Sequence, residues 1–459
     1  MSECPVFPKP LKNRASLFKR FFGNRYSMLD VLYDRCYQMR MGEVKLPGIH
    51  LYMVNQPDLV HRIMVSEYQD FPKHHLQEKV LKPLLGESIF TTNGAKWRKQ
   101  RDMLNPAFEM VRVQHVFSLM KNAADEMMQR LEKAEDMDDF DIDAEMTYVT
   151  ADIIFRTILS VRLDSEQGNQ IFKDFTLFQR ESPKAGIMAL FRLPDWLAWL
   201  PERRRRRAGK DIRASIANVI RPRYEAAQRG EEDKRQDILS SVLRAIDPDT
   251  GTMFSFKEIV DQICMLFLAG HETSASALTW SLYLLSITQK VQDEAHATTR
   301  EVMDKEGVTV SSVKSLSLVR DIFREALRLY PPVGFFPREC TLNTSMRDKN
   351  MKSGSAVVVP SWLIHRHREY WNNPNDFEPH RFSDKKGLKT PLKDVYMPFG
   401  MGPRICIGAS FALQEATLIL GMILRKYEVS LVPGFAPKPV GRLTIRSENG
   451  MHVRLKRRD

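Results

Sequence analysis

Apolar residues recur along most of this chain with the spacing of amphipathic helices. In such helices an apolar side chain returns every three to four positions, so that one face packs against the rest of the protein. The pattern predicts long helices over residues 112–133, 143–160, 167–181, 255–287 and 409–424. The chain is therefore expected to be mainly α.

Strand patterns are confined to short stretches. Glu43–Asn55 alternates around Pro47-Gly48 and predicts a hairpin, and a helix is expected to begin after it near Pro57-Asp58. Ala356–Val359 is predicted to be a further strand. Any sheet in this protein is accordingly expected to be small.

Two stretches interrupt the helical pattern. Residues 72–93 lack clear periodicity and are predicted to form a long loop, which inside a compact domain is often functional. Ser182–Pro201 contains prolines and is apolar for a connection, with Trp196 and Trp199 among its residues. The consecutive arginines Arg203–Arg207 follow it; such a run is usually a solvated helix face, although beside tryptophans it can touch anionic lipid.

No linker, repeat or low-complexity tract divides the 459 residues. We predict a single domain over residues 1–459, with residues 1–42 as an N-terminal extension and no fused reductase. Met1–Gly23 has no apolar block, so neither a signal peptide nor a membrane anchor is predicted. The most apolar runs, Ile259–Ala269 and Leu418–Leu424, are shorter than the roughly 18–20 residues that span a bilayer. A soluble protein is expected.

Charge and cysteine content narrow the possible partners. The formal net charge is 69 − 57 = +12, which favours acidic partners or surfaces. No zinc finger or basic zipper accompanies this charge, so nucleic acid is not expected. The five cysteines are odd in number and form no Cys-x-x-Cys pair, which argues against a disulfide framework or a zinc site. This usage fits a reducing compartment, and we predict a cytoplasmic protein.

One cysteine is distinguished by its setting. Cys406 follows a turn rich in glycine and proline and directly precedes an apolar helical run, where unpaired N–H groups and the helix dipole favour an anion. Free cysteines are more often buried structural residues, but the neighbours here favour a thiolate. Gly402 and Gly408 let the backbone wrap around the sulfur, Phe399 can shield it from water, and Arg404 suits a carboxylate on a bound group.

The resulting pattern, Phe-x-x-Gly-x-Arg-x-Cys-x-Gly, resembles the haem-binding loop of the cytochrome P450 superfamily. The resemblance implies that Cys406 is the proximal ligand of the iron of haem b and that Phe399, Gly402, Arg404 and Gly408 contact the cofactor. It also implies the cytochrome P450 fold, a large helical domain with a small β-sheet region and C-terminal β-hairpins. Without a predicted membrane helix, the chain is similar to the soluble bacterial members.

A second motif lies in the predicted 255–287 helix, which a capping box begins at Ser255. Gly270 is unfavourable inside a helix by about 1 kcal/mol relative to alanine, and a small residue there lets a flat cofactor approach the backbone. Glu272 and Thr273 form an acid–alcohol pair that can relay protons to dioxygen, although a back-bonded threonine in an ordinary core helix is the plain alternative. The stretch resembles the family's Ala-Gly-x-Glu/Asp-Thr motif, which implies Ala269 and Gly270 as cofactor contacts and Glu272 and Thr273 as catalytic residues.

Three basic or aromatic side chains are implied as partners of the haem propionates. Trp97 and Arg101 are four residues apart, so their N–H groups can converge on one anion, as in the family's Trp-x-x-x-Arg pair. On its own such a pair is often only cation–π packing. Arg338, which follows Phe335-Phe336-Pro337, is implied as a further propionate partner.

A third match is architectural. Glu325 and Arg328 share a helix face at spacing i, i+3 and resemble the family's Glu-x-x-Arg pair. The resemblance implies Arg381 as their partner and a role in fixing the thiolate loop, with His380 standing where many relatives carry glutamate. His365 and His367 are two apart, but packing or surface roles are favoured over metal ligation.

The resemblance implies a haem-dependent monooxygenase that activates O2 and hydroxylates a hydrophobic small molecule such as a fatty acid, terpenoid, steroid or aromatic. Electrons would come from a separate, acidic ferredoxin and its reductase, so that NAD(P)H acts only indirectly. The alternative is a haem-thiolate peroxygenase or isomerase. A monomer is expected, and Ser182–Pro201 is either a substrate lid or a weak peripheral membrane contact.

Overall fold

The computed structural model describes residues 5–12, 27–46, 49–135, 137–166, 168–178, 195–383 and 389–458. Most of them are helical, which confirms the predicted mainly α class. The helices are Pro57–His61, His75–Leu85, Gly94–Leu104, Met110–His115, Phe117–Glu132, Ile142–Leu159, 168–178, Asp195–Gln228, Ile238–Leu243, Phe256–Ser286, Gln289–Glu306, Val310–Ser315, Ser317–Leu329, Ser361–Ile364, Leu392–Val395 and Ala409–Lys426.

The strands are short and form small sheets. They are β1 Met41–Leu46, β2 Ile49–Val54, β3 Phe140–Asp141, β4 Phe336–Glu339, β5 Thr344–Met346, β6 Lys349–Met351, β7 Ala356–Val359, β8 Tyr427–Leu431, β9 Pro439–Gly441, β10 Ile445–Ser447 and β11 His452–Arg457. The largest sheet has the order β1-β2-β7-β4, in which β2 and β7 are parallel and the outer pairs antiparallel. Antiparallel pairs β8/β11 and β9/β10 confirm the C-terminal hairpins.

The described chain divides into two compact units, each assembled from separate stretches. The larger unit comprises Met1–Phe71, Lys121–Val149 and Thr273–Asp459, and the smaller unit comprises Pro72–Met120 and Thr150–Glu272. The prediction of one domain over residues 1–459 therefore stays a prediction.

The core of the larger unit lies against the four-stranded sheet. Tyr52, Val357 and Trp371 are fully buried there. In the Ala409–Lys426 helix, all residues from Glu415 to Leu424 are buried, so this part of the helix is packed on every side. The helix that follows Cys406 is thus held rigidly by its second half.

The smaller unit holds the loop after the His75–Leu85 helix against the Phe256–Ser286 helix. Gly86 has φ +50, and a Cβ at this position would lie 2.1 Å from a carboxylate oxygen of Asp261. That carboxylate accepts a hydrogen bond from the Glu87 N–H at 2.9 Å and pairs with Arg213 at 2.5 Å. Gln262 accepts the Ile89 N–H at 3.1 Å, so two adjacent buried side chains fix this loop.

Two predictions about connections need correction. The expected loop over residues 72–93 is wrong in its first half, because His75–Leu85 is a helix whose Leu81, Leu84 and Leu85 are buried at helical spacing. Pro83 lies in the last turn of this helix, which ends at Gly86 in any case. Of the apolar stretch Ser182–Pro201, residues 182–194 lie outside the described part, and from Asp195 onward the backbone is helical.

The described part of the N-terminal extension is attached to the larger unit. Val6 donates its N–H to the Tyr283 hydroxyl at 3.0 Å, and the Tyr330 hydroxyl donates to the Val6 carbonyl. Across the residues that the structure describes, every helix is too short or too polar to cross a bilayer.

Candidate active site

Cys406 lies at the end of a closed loop, Met397–Gly408, which we call the thiolate loop. The Cys406 N–H donates to the Phe399 carbonyl at 2.8 Å and closes the loop on itself. Inside it, the Gly400 N–H donates to the Met397 carbonyl at 3.1 Å. The Cys406 side chain is exposed. Cys36, Cys264 and Cys340, by contrast, are buried.

Glycine is required in the loop for two physical reasons. Gly400 and Gly402 have φ +77 and +70, a region that other residues enter only at a cost. A Cβ on Gly402 would also lie 2.3 Å from the Met64 carbonyl oxygen, so the loop could not pack there with a side chain. Gly408 is different, because a Cβ there would lie 4.0 Å from the Cys406 sulfur, an ordinary van der Waals distance.

The Ala409–Lys426 helix begins just after Cys406, with Gly408 as its N-cap residue. The backbone N–H groups of its first turn and its dipole favour negative charge near the sulfur. This confirms the predicted helical setting of Cys406 and suits a thiolate.

Arg338 carries buried positive charge, and the half-buried Arg404 of the thiolate loop lies near enough to act on it. Arg338 is 7% exposed and donates to the Pro337 carbonyl at 2.9 Å, and it forms no ion pair with any described residue. Burial, and secondarily the charge of Arg404, lower the pKa of Arg338 to about 9. Burial likewise lowers the pKa of Arg404 to about 10, and its guanidinium lies 5.7 Å from the centre of the Tyr68 ring.

The setting of Arg338 favours a bound anion. A guanidinium that loses hydration stays charged at low cost only if a negative group compensates it, and Arg338 has no acidic partner among the described residues. A haem carries carboxylate groups at its edge and an iron that accepts a thiolate, so Arg338, Arg404 and Cys406 together fit this cofactor.

A buried ion cluster lies behind the loop, as the sequence spacing predicted. Arg328 donates to both oxygens of the Glu325 carboxylate at 2.8 Å, and Arg381 Nε donates to Glu325 Oε1 at 3.0 Å. Glu325 and Arg328 are fully buried and Arg381 is 2% exposed. Losing one member would leave buried charge uncompensated. His380 forms an exposed contact with Glu294 at 3.2 Å, outside this cluster.

The long helix Phe256–Ser286 presents one accessible stripe. Between Ile259 and Leu285 every residue is buried except Ala269, Gly270 and Thr273. These three lie on one side of the helix by their spacing. A stripe of small side chains that the protein leaves uncovered fits a flat cofactor.

The reason for glycine at position 270 differs from the one expected. A Cβ there would lie 2.5 Å from Cδ1 of Ile154, within the smaller unit. Glycine is therefore explained by close packing of the two helices, and the predicted contact of Gly270 with a cofactor stays a prediction.

The acid–alcohol pair sits on this helix as predicted. Glu272 is 7% exposed, and the helix is begun by the capping box, in which the Glu258 carboxylate accepts the Ser255 N–H at 2.9 Å. His271, between the two motif positions, is buried with its ring edge-on to Phe175 at 5.9 Å. A helix fixed in this way holds Glu272 and Thr273 at consecutive positions.

The remaining predicted cofactor contacts lie in the Gly94–Leu104 helix of the smaller unit. Trp97 is 4% exposed, and the Arg98 guanidinium lies 5.8 Å from its ring centre. Arg101 Nε donates to Asn105 Oδ1 at 2.7 Å. The helical spacing of Trp97 and Arg101 is confirmed, whereas their role in binding a cofactor stays a prediction.

His365 was predicted to have a packing or surface role, and its burial supports packing, whereas Glu415 was not recognised in the sequence. His365 is fully buried, and its Nε2 accepts the Met397 N–H at 2.9 Å. Glu415 is fully buried in the helix after Cys406, and burial raises its pKa to about 8. The only signal in the sequence that His365 is buried was the apolar run directly before it, Trp362-Leu363-Ile364.

The chain belongs to the cytochrome P450 family, because the family model described as "Cytochrome P450" matches residues 7–452. It is a cytochrome P450 monooxygenase, a class of enzymes that carry haem and need redox partners. The resemblance seen in the sequence is thereby confirmed.

Among its relatives is the cytokinin hydroxylase of Arabidopsis thaliana, 28% identical over 411 residues, or 88% of this chain and 78% of the relative. Another is the cyclooctatin synthase of Streptomyces melanosporofaciens, 29% identical over 404 residues, or 88% of this chain and 86% of the relative. The fold is similar to the crystal structure of the cytochrome P450DA haem domain, with a TM-score of 0.84 and 24% identity over 98% of this chain and 97% of that one.

Proposed function

We propose that this monooxygenase hydroxylates a hydrophobic small molecule with O2 and with electrons from a separate ferredoxin and its reductase. The observation that carries the proposal is the exposed Cys406 thiol on a closed loop that also contains Arg404, with the buried Arg338 nearby. When bound, haem b supplies the oxygen chemistry that no side chain can provide.

The residues of the larger unit have distinct tasks in this proposal. Cys406 Sγ binds the iron as a thiolate, and the N–H groups of the following helix stabilise its charge. Arg338 and Arg404 donate to the propionates, which compensates their buried charge. Phe399 covers the sulfur, while Gly402 and Gly408 allow the backbone to pass close to it.

Four further cofactor contacts are proposed from the resemblance to the family. Trp97 and Arg101 donate N–H groups to a propionate, as in the family's Trp-x-x-x-Arg pair. Ala269 and Gly270 offer the uncovered helix stripe to the face of the ring.

Proton delivery is assigned to the acid–alcohol pair. With haem bound, the Thr273 hydroxyl would donate a hydrogen bond and pass on a proton, and the Glu272 carboxyl group would hold the proton that replaces the one Thr273 passes on. Exchange of Thr273 for alanine is expected to leave reduction intact and to divert electrons into peroxide. The measurement is peroxide formed per NAD(P)H consumed.

The substrate is proposed to be apolar, in the class of fatty acids, terpenoids, steroids or aromatics. Val333, Phe335 and Phe336 are partly exposed on the chain segment that leads to Arg338, and they offer apolar surface. Met265 and Leu266 are only 3% and 5% exposed and contribute less surface. Ligand-induced changes in the haem absorption spectrum would rank candidate substrates.

An acidic ferredoxin is the proposed electron donor, and the enzyme is proposed to be a cytoplasmic monomer. The formal charge of +12 supports electrostatic attraction of such a partner. Raising the salt concentration should then slow reduction, since exposed charges are screened beyond about 8 Å at physiological ionic strength. A reduction rate that does not change with salt would contradict this docking.

Two measurements test the proposal as a whole. The reduced protein with CO should show the absorption band of thiolate-ligated haem, and Cys406→Ser should abolish that band while leaving the fold intact. Turnover should require NAD(P)H with redox partners; turnover with peroxide alone would favour a peroxygenase instead.

A further inference from the structure

The buried ion cluster does not touch the thiolate loop that it was expected to brace. Besides pairing with Glu325, Arg328 donates to the carbonyls of His365, Pro374 and Asp376 at 2.6–2.9 Å, and Arg381 to two more in the same segment. Among the described residues, no hydrogen bond of the cluster reaches Met397–Gly408. Something else must transmit its rigidity.

His365 provides that link. Its carbonyl accepts a hydrogen bond from Arg328 Nη1 at 2.8 Å, and its ring Nε2 accepts the Met397 N–H at 2.9 Å. The ring also stacks on Tyr396, with 5.6 Å between ring centres. Met397 in turn accepts the Gly400 N–H through its carbonyl, at the first turn of the loop that ends on Cys406.

The bond to Met397 sets a chemical requirement. A backbone N–H is a donor, so Nε2 must be unprotonated and the ring proton must reside on Nδ1. Burial, followed by the charges of Arg328 and Arg366, lowers the pKa of His365 to about 3, which keeps the ring neutral. A buried side chain without an acceptor at this point would leave the Met397 N–H unsatisfied.

We propose that His365 is a positioning residue that couples the ion cluster to the thiolate loop by accepting the Met397 N–H. This inference rests on the proposed role of Cys406 as the iron ligand. The neutral imidazole fixes where the loop begins, and the loop closes on the Phe399 carbonyl to place the sulfur.

The test compares three variants of the full-length haem protein. His365→Phe keeps a buried aromatic ring but has no acceptor, whereas His365→Gln restores an acceptor oxygen. His367→Phe is the matched control, because His367 is equally buried and its Nε2 contacts the Met39 carbonyl at 3.2 Å, away from the loop. The readouts are hydrogen exchange at the Met397 amide, with and without haem, and the fraction of protein that keeps the thiolate band with CO.

In His365→Phe we expect the Met397 amide to exchange about tenfold faster and the thiolate fraction to fall, since one buried hydrogen bond is lost. His365→Gln should recover both, and His367→Phe should resemble the wild type in both. An unchanged His365→Phe variant, or an equal loss in His367→Phe, would overturn the proposal.

If His365→Phe does not fold, nitrogen NMR of labelled histidine in the wild type decides the matter. A neutral ring protonated at Nδ1 supports the proposal, and a ring protonated at Nε2 refutes it. A wild type without any thiolate band would instead refute the role of Cys406, and the Met397 exchange rates would still report on His365.

Discussion

The buried carboxylate of Glu325 provides the sharpest test of how this fold is held together. In Glu325→Ala the group that accepts from Arg328 twice, from Arg381 once and from the Glu378 N–H once is removed. Arg381 keeps the half-exposed Glu378 carboxylate at 2.9 Å, but Arg328 has no other acidic partner among the described residues.

One buried guanidinium is thus left without a counter-charge. Breaking a buried ion pair from one side costs about 3–5 kcal/mol, and we expect a loss of that size in the free energy of unfolding. Arg381→Met should cost less, because the two-oxygen pair of Glu325 with Arg328 survives.

Urea unfolding followed by far-ultraviolet circular dichroism measures both variants. The control is Asp125→Ala, which breaks the partly exposed pair of Lys121 and Asp125 at 2.7 Å and should cost about 0.5 kcal/mol or less. If Glu325→Ala were no more destabilising than this control, the cluster would not be a structural brace.

Two further changes follow from the structure. Gly402→Ala should prevent normal haem loading, because the new Cβ would lie 2.3 Å from the Met64 carbonyl oxygen. The control is Gly434→Ala, where φ is +79 and a Cβ would meet nothing within 4 Å. This control should cost only about 1–2 kcal/mol of backbone strain. Equal haem content in the two variants would refute this reasoning. The Glu415 carboxyl has a pKa of about 8 in the folded protein and about 4.3 when unfolded, so the wild type loses stability as pH rises between these values. Glu415→Gln lacks this titration. Its free energy of unfolding should therefore rise relative to the wild type by about 1.4 kcal/mol per pH unit across that window. Unfolding curves at several pH values would show this, and parallel pH profiles of the two proteins would contradict it.

Several parts of the site could be predicted because their signal is local. The spacing of Glu325 and Arg328 places both on one helix face, and the capping box at Ser255 fixes where the long helix begins. The glycines around Cys406 predicted a turn, and the structure has positive φ at Gly400 and Gly402.

Other features could not be predicted because their partners are distant in sequence. Gly402 packs on the carbonyl of Met64, and Gly270 packs on Ile154. The helix at His75–Leu85 was missed because residues 72–93 show no clear periodicity, although Leu81, Leu84 and Leu85 are buried in the fold. No local pattern distinguishes such cases from ordinary turns.

The sequence alone determined the chemistry of this protein: a thiolate candidate at a helix start, an acid–alcohol pair, and helices with one apolar face. These depend on bonds and spacings within a few residues. The tertiary structure alone decided which buried charges have no acidic partner within the described residues, as in the case of Arg338, and that the His365 ring accepts the Met397 N–H. Burial and hydrogen bonding between segments distant in sequence arise only when the chain is folded, because desolvation depends on what packs around each group.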